Sequence, residues 1–333
     1  MMMKPRTLFT ALCLAAAATA PLAQAQMFKD GALEALFAAE RWPDLDRLAA
    51  QRLAADPADA QAVLAAGLGA LRFNDATRRQ AAIDQADACL KREPKAAPCH
   101  YTLGSVLGVQ AMNEGMVAVL RNVGRVRAAL QEATTLEPAW YAARGAMVDF
   151  YLLAPGVAGG SSAKALELAR AAPNPDHARA LEARVALDAK DGARALQLLA
   201  QVRPGSEVQS ESDRRQWAAT AAFMLLAAGQ PEPARQHFER WTREQPGDAM
   251  GPYGLGRVAS EAGAHAEALK RFDAARALKG ADALPIDYRA GIAQQALGQA
   301  DAARTSFGRF IAAGKGQKGP LEDAKKRLAQ LNG

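Results

Sequence analysis

Residues 252–275 read PYGLGRVASEAGAHAEALKRFDAA, and this stretch decides the fold. Apolar residues recur every three to four positions on both sides of Gly263, the pattern of two helices joined by a tight glycine turn. Residues 217–241, WAATAAFMLLAAGQPEPARQHFERW, and 287–310, DYRAGIAQQALGQADAARTSFGRF, align with it without gaps at the turn. The turn glycines Gly229, Gly263 and Gly298 are 34 and 35 residues apart. Ala234, Ala268 and Ala303 keep that spacing, and so do Phe238, Phe272 and Phe307. Small residues at the alanine positions let two helices approach closely, and the phenylalanine fills the space between neighbouring pairs. Runs of alternating β-branched residues, which would signal strands, are almost absent. A period of this size means stacked copies of one unit, so the length of the chain does not translate into a count of ordinary domains.

The pattern resembles the tetratricopeptide repeat (TPR) family, whose period is 34 residues. The resemblance is best at Leu255-Gly256, Ala268, Phe272 and Ala275, with Pro246 closing the preceding unit. Earlier units are more degenerate: Leu103-Gly104 opens one that ends with Leu130, Ala133 and Pro138, while Gly145, Pro94 and Pro57 mark others. It covers roughly residues 31–314 and implies an all-α fold, an α-solenoid of about seven to eight helix pairs in a right-handed superhelix. The expected organisation is a leader over 1–25 and a solenoid over 26–314, with insertions near 109–125 and 154–161. A linker and capping helix follow over 315–333. The capping helix is expected from Leu321 to Leu331, where an amphipathic stretch with Lys325, Lys326 and Arg327 on its solvated face would close the last apolar surface.

The leader reading rests on Lys4 and Arg6, the apolar run Leu8–Ala20, and Ala23 and Ala25 as the small residues of a cleavage site. Thirteen apolar residues fall short of the about 20 that span a bilayer. Cleavage after Ala25 makes the chain an exported protein with Gln26 at its start. The full sequence carries 41 Lys and Arg against 35 Asp and Glu. Losing Lys4 and Arg6 leaves a balance of +4, too mild to argue for nucleic acid or an anionic membrane as partner. No N-x-[ST] sequon occurs, which favours a bacterial periplasm over a eukaryotic secretory route. Cys13 leaves with the leader, so Cys89 and Cys99 remain, an even pair suited to an oxidising compartment. In TPR geometry Cys89 faces the following helix, which Cys99 opens, so the resemblance implies a disulfide across the KREPKAAP turn. Two separate buried thiols are the other reading.

The glycine-rich stretch APGVAGGS (154–161) followed by Lys164 invites a phosphate-loop reading. A Walker A loop needs G-x-x-x-x-G-K-[ST] after a strand. Here the preceding segment is helical, Lys164 comes four residues after Gly160, and Ala165 follows it. No nucleotide site is expected. The stretch instead replaces a repeat turn: Ala154 before proline ends one helix, Pro155-Gly156 suits a type II turn, and Ser161 or Ser162 caps the next helix. It is similar to APG-x-x-GG insertions in a group of bacterial exported TPR proteins. The other insertion contains Met112, Met116, Val117, Val119 and Leu120 near helical spacing, expected to pack on the neighbouring pair. A partner-docking flap is the alternative.

No catalytic or metal signature stands out. His100, His177, His237 and His265 lie in separate repeats, and H-E-x-x-H, C-x-x-C and G-x-S-x-G are absent. The chain reads as a binding protein without cofactor or enzymatic activity. In TPR arrays the concave face is lined by the second, fifth, ninth and twelfth positions of each first helix. By that resemblance Tyr101, Tyr253 and Tyr288 take the fifth position and Arg184 and Arg257 the ninth. Asp149, Ser260 and Gln295 take the twelfth. Tyrosine and arginine are common interface anchors, which makes Tyr101, Arg184, Tyr253, Arg257, Tyr288 and Gln295 the candidate partner-binding residues. The carboxylate clamp of some TPR proteins needs Lys and Asn where this chain has Tyr and no Asn. The function expected is a periplasmic adaptor that binds a peptide or protein through its concave face. An accessory docking component of solute transport or cytochrome maturation is the alternative.

Overall fold

The structure, a computed structural model, describes residues 26–205, 207–314 and 318–332. The expected leader and the linker residues 315–317 lie outside the described residues. The chain forms an all-α solenoid of eight antiparallel helix pairs and a terminal helix. The first pairs are α1 (Gly31–Ala38) with α2 (Trp42–Ala55), and α3 (Ala60–Phe73) with α4 (Ala76–Arg92). Next come α5 (Ala97–Glu114) with α6 (Met116–Leu136), and α7 (Tyr141–Leu153) with α8 (Ser162–Arg170). α9 (Pro175–Asp188) pairs with α10 (Gly192–Leu199), and α11 (Val208–Ala227) with α12 (Pro231–Glu244). The last pairs are α13 (Met250–Glu261) with α14 (His265–Arg276), and α15 (Ile286–Ala296) with α16 (Ala300–Ala313), followed by α17 (Lys318–Asn332).

Local chemistry sets the helix boundaries. Asp30, Asp59, Asp75, Asn174 and Asp191 each accept backbone N–H bonds in the first turn of the helix they precede. Arg52 of α2 then joins two of these caps, lying 2.5 Å from Asp30 and 2.6 Å from Asp59. Packing follows the repeat. Phe238, Phe272 and Phe307 are fully buried, each in its own cluster along the array. Gly256 shows why the small position is needed: a Cβ there would lie 2.5 Å from the Phe272 ring. The first helices α3, α5, α7, α9, α11, α13 and α15 touch one after another and form the inner face of the solenoid. Among the described residues an isolated bridge between Asp248 and Lys279, in two turns between pairs, is the only β pairing.

Three expectations change. The 109–125 stripe does not pack on the neighbouring pair. α5 and α6 continue past the ends of α3 and α4 and meet at Gly115, whose φ of +100° and ψ of −178° suit only glycine. The α3–α4 turn reaches only as far as Asn113, which donates to Asn74 at 3.2 Å, and Met112, Met116, Val117 and Leu120 are 52%, 61%, 80% and 50% exposed. Pro155-Gly156 is not a type II turn. Gly156–Ala158 forms a 3₁₀ turn, and the left-handed residue is Gly159, φ +97°. The turn closes through Ala158 N–H to the Pro155 carbonyl at 2.8 Å and Ser161 N–H to the Tyr151 carbonyl at 2.8 Å. Ser161 caps α8 through the Lys164 N–H. Finally, α17 starts at Lys318, not Leu321, because Leu321, Leu328 and Leu331 pack against the Phe307 and Phe310 cluster over its whole length.

Cys89 at the end of α4 and Cys99 at the start of α5 are fully buried and joined as a disulfide, with Cα atoms 6.3 Å apart. Their separation of ten residues spans the turn between two pairs.

A candidate binding groove on the concave face

The first half of the solenoid encloses a groove of about 540 Å³, within the range typical of ligand sites. Its floor is formed by α5 and α7, where Gly104 lets α6 pack close: a Cβ there would lie 2.6 Å from Leu130. α11 closes the far side. At 20 residues it is eight longer than α13, and its extra turns bring Gln209 and Asp213 over α7. α11 and α7 touch directly across this gap.

The walls are apolar and the inner end is charged. Leu68, Val109, Val123, Val126 and Phe150 line the sides. Both insertions meet at the rim: Met112 and Val119 come from the long α5–α6 hairpin, and Leu153 and Ala154 from the edge of the 154–161 turn. Leu153 is 56% exposed, so apolar surface is open to solvent at the rim.

At the inner end, Tyr141 of α7 donates its hydroxyl proton to Asp213 at 3.0 Å, and Gln209 donates to the other oxygen of Asp213 at 3.0 Å. Both donors are neutral. No cationic side chain lies within ion-pair distance of Asp213 among the described residues. Burial pushes its pKa up to about 6, and the nearby Asp149 and Glu207 add to the effect. Asp149 pairs with Arg184 of α9 at 2.8 Å, yet burial still holds its carboxyl above the usual range. Behind Tyr141, the His177 ring packs at a tilt of 58° with its centroid 4.8 Å from the tyrosine ring and meets Glu207 at 3.1 Å, and burial raises the pKa of Glu207. Burial also raises Tyr101 to about 12 and Tyr141 well above its ordinary value, so both phenols stay protonated.

Of the six candidate partner-binding residues, the structure brings Tyr101 and Arg184 into this groove, with Asp149 beside them. The other four lie elsewhere. Tyr253 is buried between Phe223 and Phe272, with ring centroids 5.9 Å away on each side. Arg257 lies over the Phe223 ring at 5.4 Å. Tyr288 donates to Asp323 of α17 at 2.8 Å, and Gln295 accepts from Arg327 of α17 at 2.9 Å. At the last repeat, α17 thus lies against the inner-face residues of α15. The repeat register missed Tyr141, Gln209, Asp213 and Trp217 as a group. It starts its sixth unit at Trp217, leaving the two turns before it unassigned, although the sequence 208–216 continues the same helix.

Solved structures share the fold. No family profile matches the chain, and no curated protein does at a significant level. Human IFIT1, as a dimer with PPP-AAAA, superposes with a TM-score of 0.50 at 14% identity over 82% of this chain, which spans 63% of IFIT1. The fold is that of the tetratricopeptide repeat proteins. A TPR protein from Parabacteroides merdae ATCC 43184 matches at TM-score 0.49 and 14% identity, over 79% of this chain and 96% of that one. YrrB, described as a TPR protein with an unusual peptide-binding site, matches at 0.36 and 16% identity over 64% of this chain and 97% of its own. In TPR terms, α5, α7, α9 and α11 are first helices of their units, so the groove lies on the concave side. No described helix is long and apolar enough to cross a membrane, and no group of three or more His, Cys, Asp or Glu side chains is placed to hold a metal among the described residues.

Proposed function

We propose that the protein is an exported adaptor which holds an extended, apolar segment of a partner protein in the concave groove of its first half. The observation that carries this reading is the largely apolar lining of the groove, with Met112 and Leu153 exposed at its rim. Exposed apolar surface of that kind costs solvation free energy in the isolated chain, at about 25 cal/mol per Å², and covering it stabilises a complex. Proteins of the TPR fold commonly act as interaction scaffolds, which supports a protein segment as the class of partner.

Two other readings fit the groove less well. A carboxyl group titrating near pH 6 is what proton-transfer chemistry needs. The walls, however, are built from Leu, Val, Met, Ala and Gly, with few polar groups to orient a reacting centre. A ligand such as the PPP-AAAA held by human IFIT1 would set its phosphates against Asp149 and Asp213, which repel them.

A photo-crosslinking amino acid at Val109 or Leu153, compared with one at Gln236 on the outer surface, tests the reading. In cells, the groove positions should trap one common partner that Gln236 does not trap. Equal trapping from all three positions, or none from the groove, would remove the concave-face assignment. Export is checked separately: the protein isolated from the cell envelope should begin at Gln26, and an intact start in the cytoplasm would refute it.

A further inference from the structure

The walls of the groove explain affinity for apolar residues but not the charges at its inner end. Arg184 is the one cation among the lining residues, and it is already engaged with Asp149 and lies 4.0 Å from Asp188. Asp213 has only neutral donors, from Tyr141 and Gln209. Burying a carboxylate without a counter-ion is unfavourable, and structures usually pair it. Trp217, one helical turn beyond Asp213 on α11, lines the same end, as do Tyr101 and Tyr141. A carboxylate with only neutral donors favours a positive charge by direct attraction.

We propose that the segment held in the groove carries a lysine or arginine, seated with its cation on Asp213 and Asp149 while flanking apolar side chains cover the Met112–Leu153 rim. The inference rests on the groove being the binding site and adds the charge of its occupant. Charge complementarity selects this partner over an acidic peptide or a bare acyl chain, since neither would neutralise Asp213.

The site also becomes sensitive to pH. The groups facing Asp213 are Tyr141 and Asp149 from α7, Tyr101 from α5, Arg184 from α9, and Glu207 at the start of α11. Burial raises both tyrosines, so they stay neutral between pH 5 and 8. Asp213, Asp149 and Glu207 gain negative charge as pH rises. A bound cation favours the ionised carboxylate, so binding strengthens as pH rises through about 6 and weakens below it.

Fluorescence anisotropy with three labelled, acetylated and amidated dodecamers tests the proposal. The peptides consist of alanine and leucine with a central lysine, norleucine or glutamate. At pH 7.5 the lysine peptide should bind the full chain at least tenfold more tightly than the norleucine peptide, and the glutamate peptide least tightly. At pH 5 the advantage of lysine should shrink severalfold. Asp213→Asn, and separately Asp149→Asn, should reduce the ratio of lysine-peptide to norleucine-peptide affinity, with the circular dichroism spectrum unchanged. Equal binding of the lysine and norleucine peptides, both lost on Leu153→Asp, would overturn the cation inference and leave the groove in place. Tighter binding of the glutamate peptide would overturn it as well. Failure of all three peptides to bind would remove the inference and the groove together.

Discussion

The Tyr141 hydroxyl and the Asp213 carboxylate meet at 3.0 Å across 72 residues of sequence, tying α7 to the extended α11 and closing the groove. The bond satisfies Tyr141 but leaves Asp213 charged and without a cation at neutral pH. The protein thus holds a destabilising group where the ligand is expected to sit, which is common at functional sites.

The first prediction follows from that group. The folded-state pKa of Asp213, about 6, lies above the ordinary aspartate value of 3.8, so between these values the folded chain holds more protons than the unfolded one. This contribution to stability is present at low pH and is lost as pH rises to about 6 and beyond. Asp213→Asn should therefore match the wild type near pH 4 and be more stable by about 1–2 kcal/mol at pH 7.5, a figure reduced for the openness of the groove. Urea unfolding at the two pH values measures it. A variant less stable at pH 7.5 would contradict the assignment.

The Cys89–Cys99 bridge predicts no free thiols in the oxidised chain from residue 26 onward. Closing a ten-residue loop stabilises the fold by about 2–3 kcal/mol in the chain-entropy model. Reduction should lower the unfolding midpoint accordingly. Two thiols counted on denatured, unreduced protein would show that the bridge does not form.

Tyr253→Ala should act on stability. Its ring is 3% exposed between Phe223 and Phe272, so truncation leaves a cavity costing about 3 kcal/mol or more. The thermal midpoint should fall well before any partner is added. Unchanged stability with weakened partner binding would instead place Tyr253 on an accessible face.

Gly256→Val puts carbon atoms where Phe272 already lies, 2.5 Å from the position of a Cβ. Overpacking of this kind costs about 1–3 kcal/mol. Phe272→Leu in the same chain should recover part of the loss, a coupling that a double-mutant cycle measures.

Truncation after Ala313 removes α17 and uncovers Tyr288, Phe307 and Phe310. The shortened chain should self-associate at concentrations where the full chain does not. A monomeric, equally stable truncation would show that α17 is dispensable as a cap.

The sequence alone determined the helix pairs. The 34-residue spacing of Gly, Ala and Phe is local information, because each unit must bury the same face against the next. The Cys89–Cys99 pairing was readable for the same reason, with both residues lying on adjacent elements of known geometry. Tyr101, Arg184 and Asp149 were readable as inner-face residues because inner positions follow from the repeat register. What the register could not supply was the surroundings of those positions. Tyr101, Tyr253 and Tyr288 share a register position and all three are buried, but under different neighbours: Tyr101 against Trp140, Tyr253 between Phe223 and Phe272, and Tyr288 bonded to Asp323 of α17. Only tertiary structure decided this, because the path of a solenoid accumulates small rotations between units and sets what packs on each inner face. The two insertions, in different repeat units of the sequence, meet at one rim for that reason. Asp213 reaches Tyr141 only because α11 is longer than its repeat and the array curves it back onto α7.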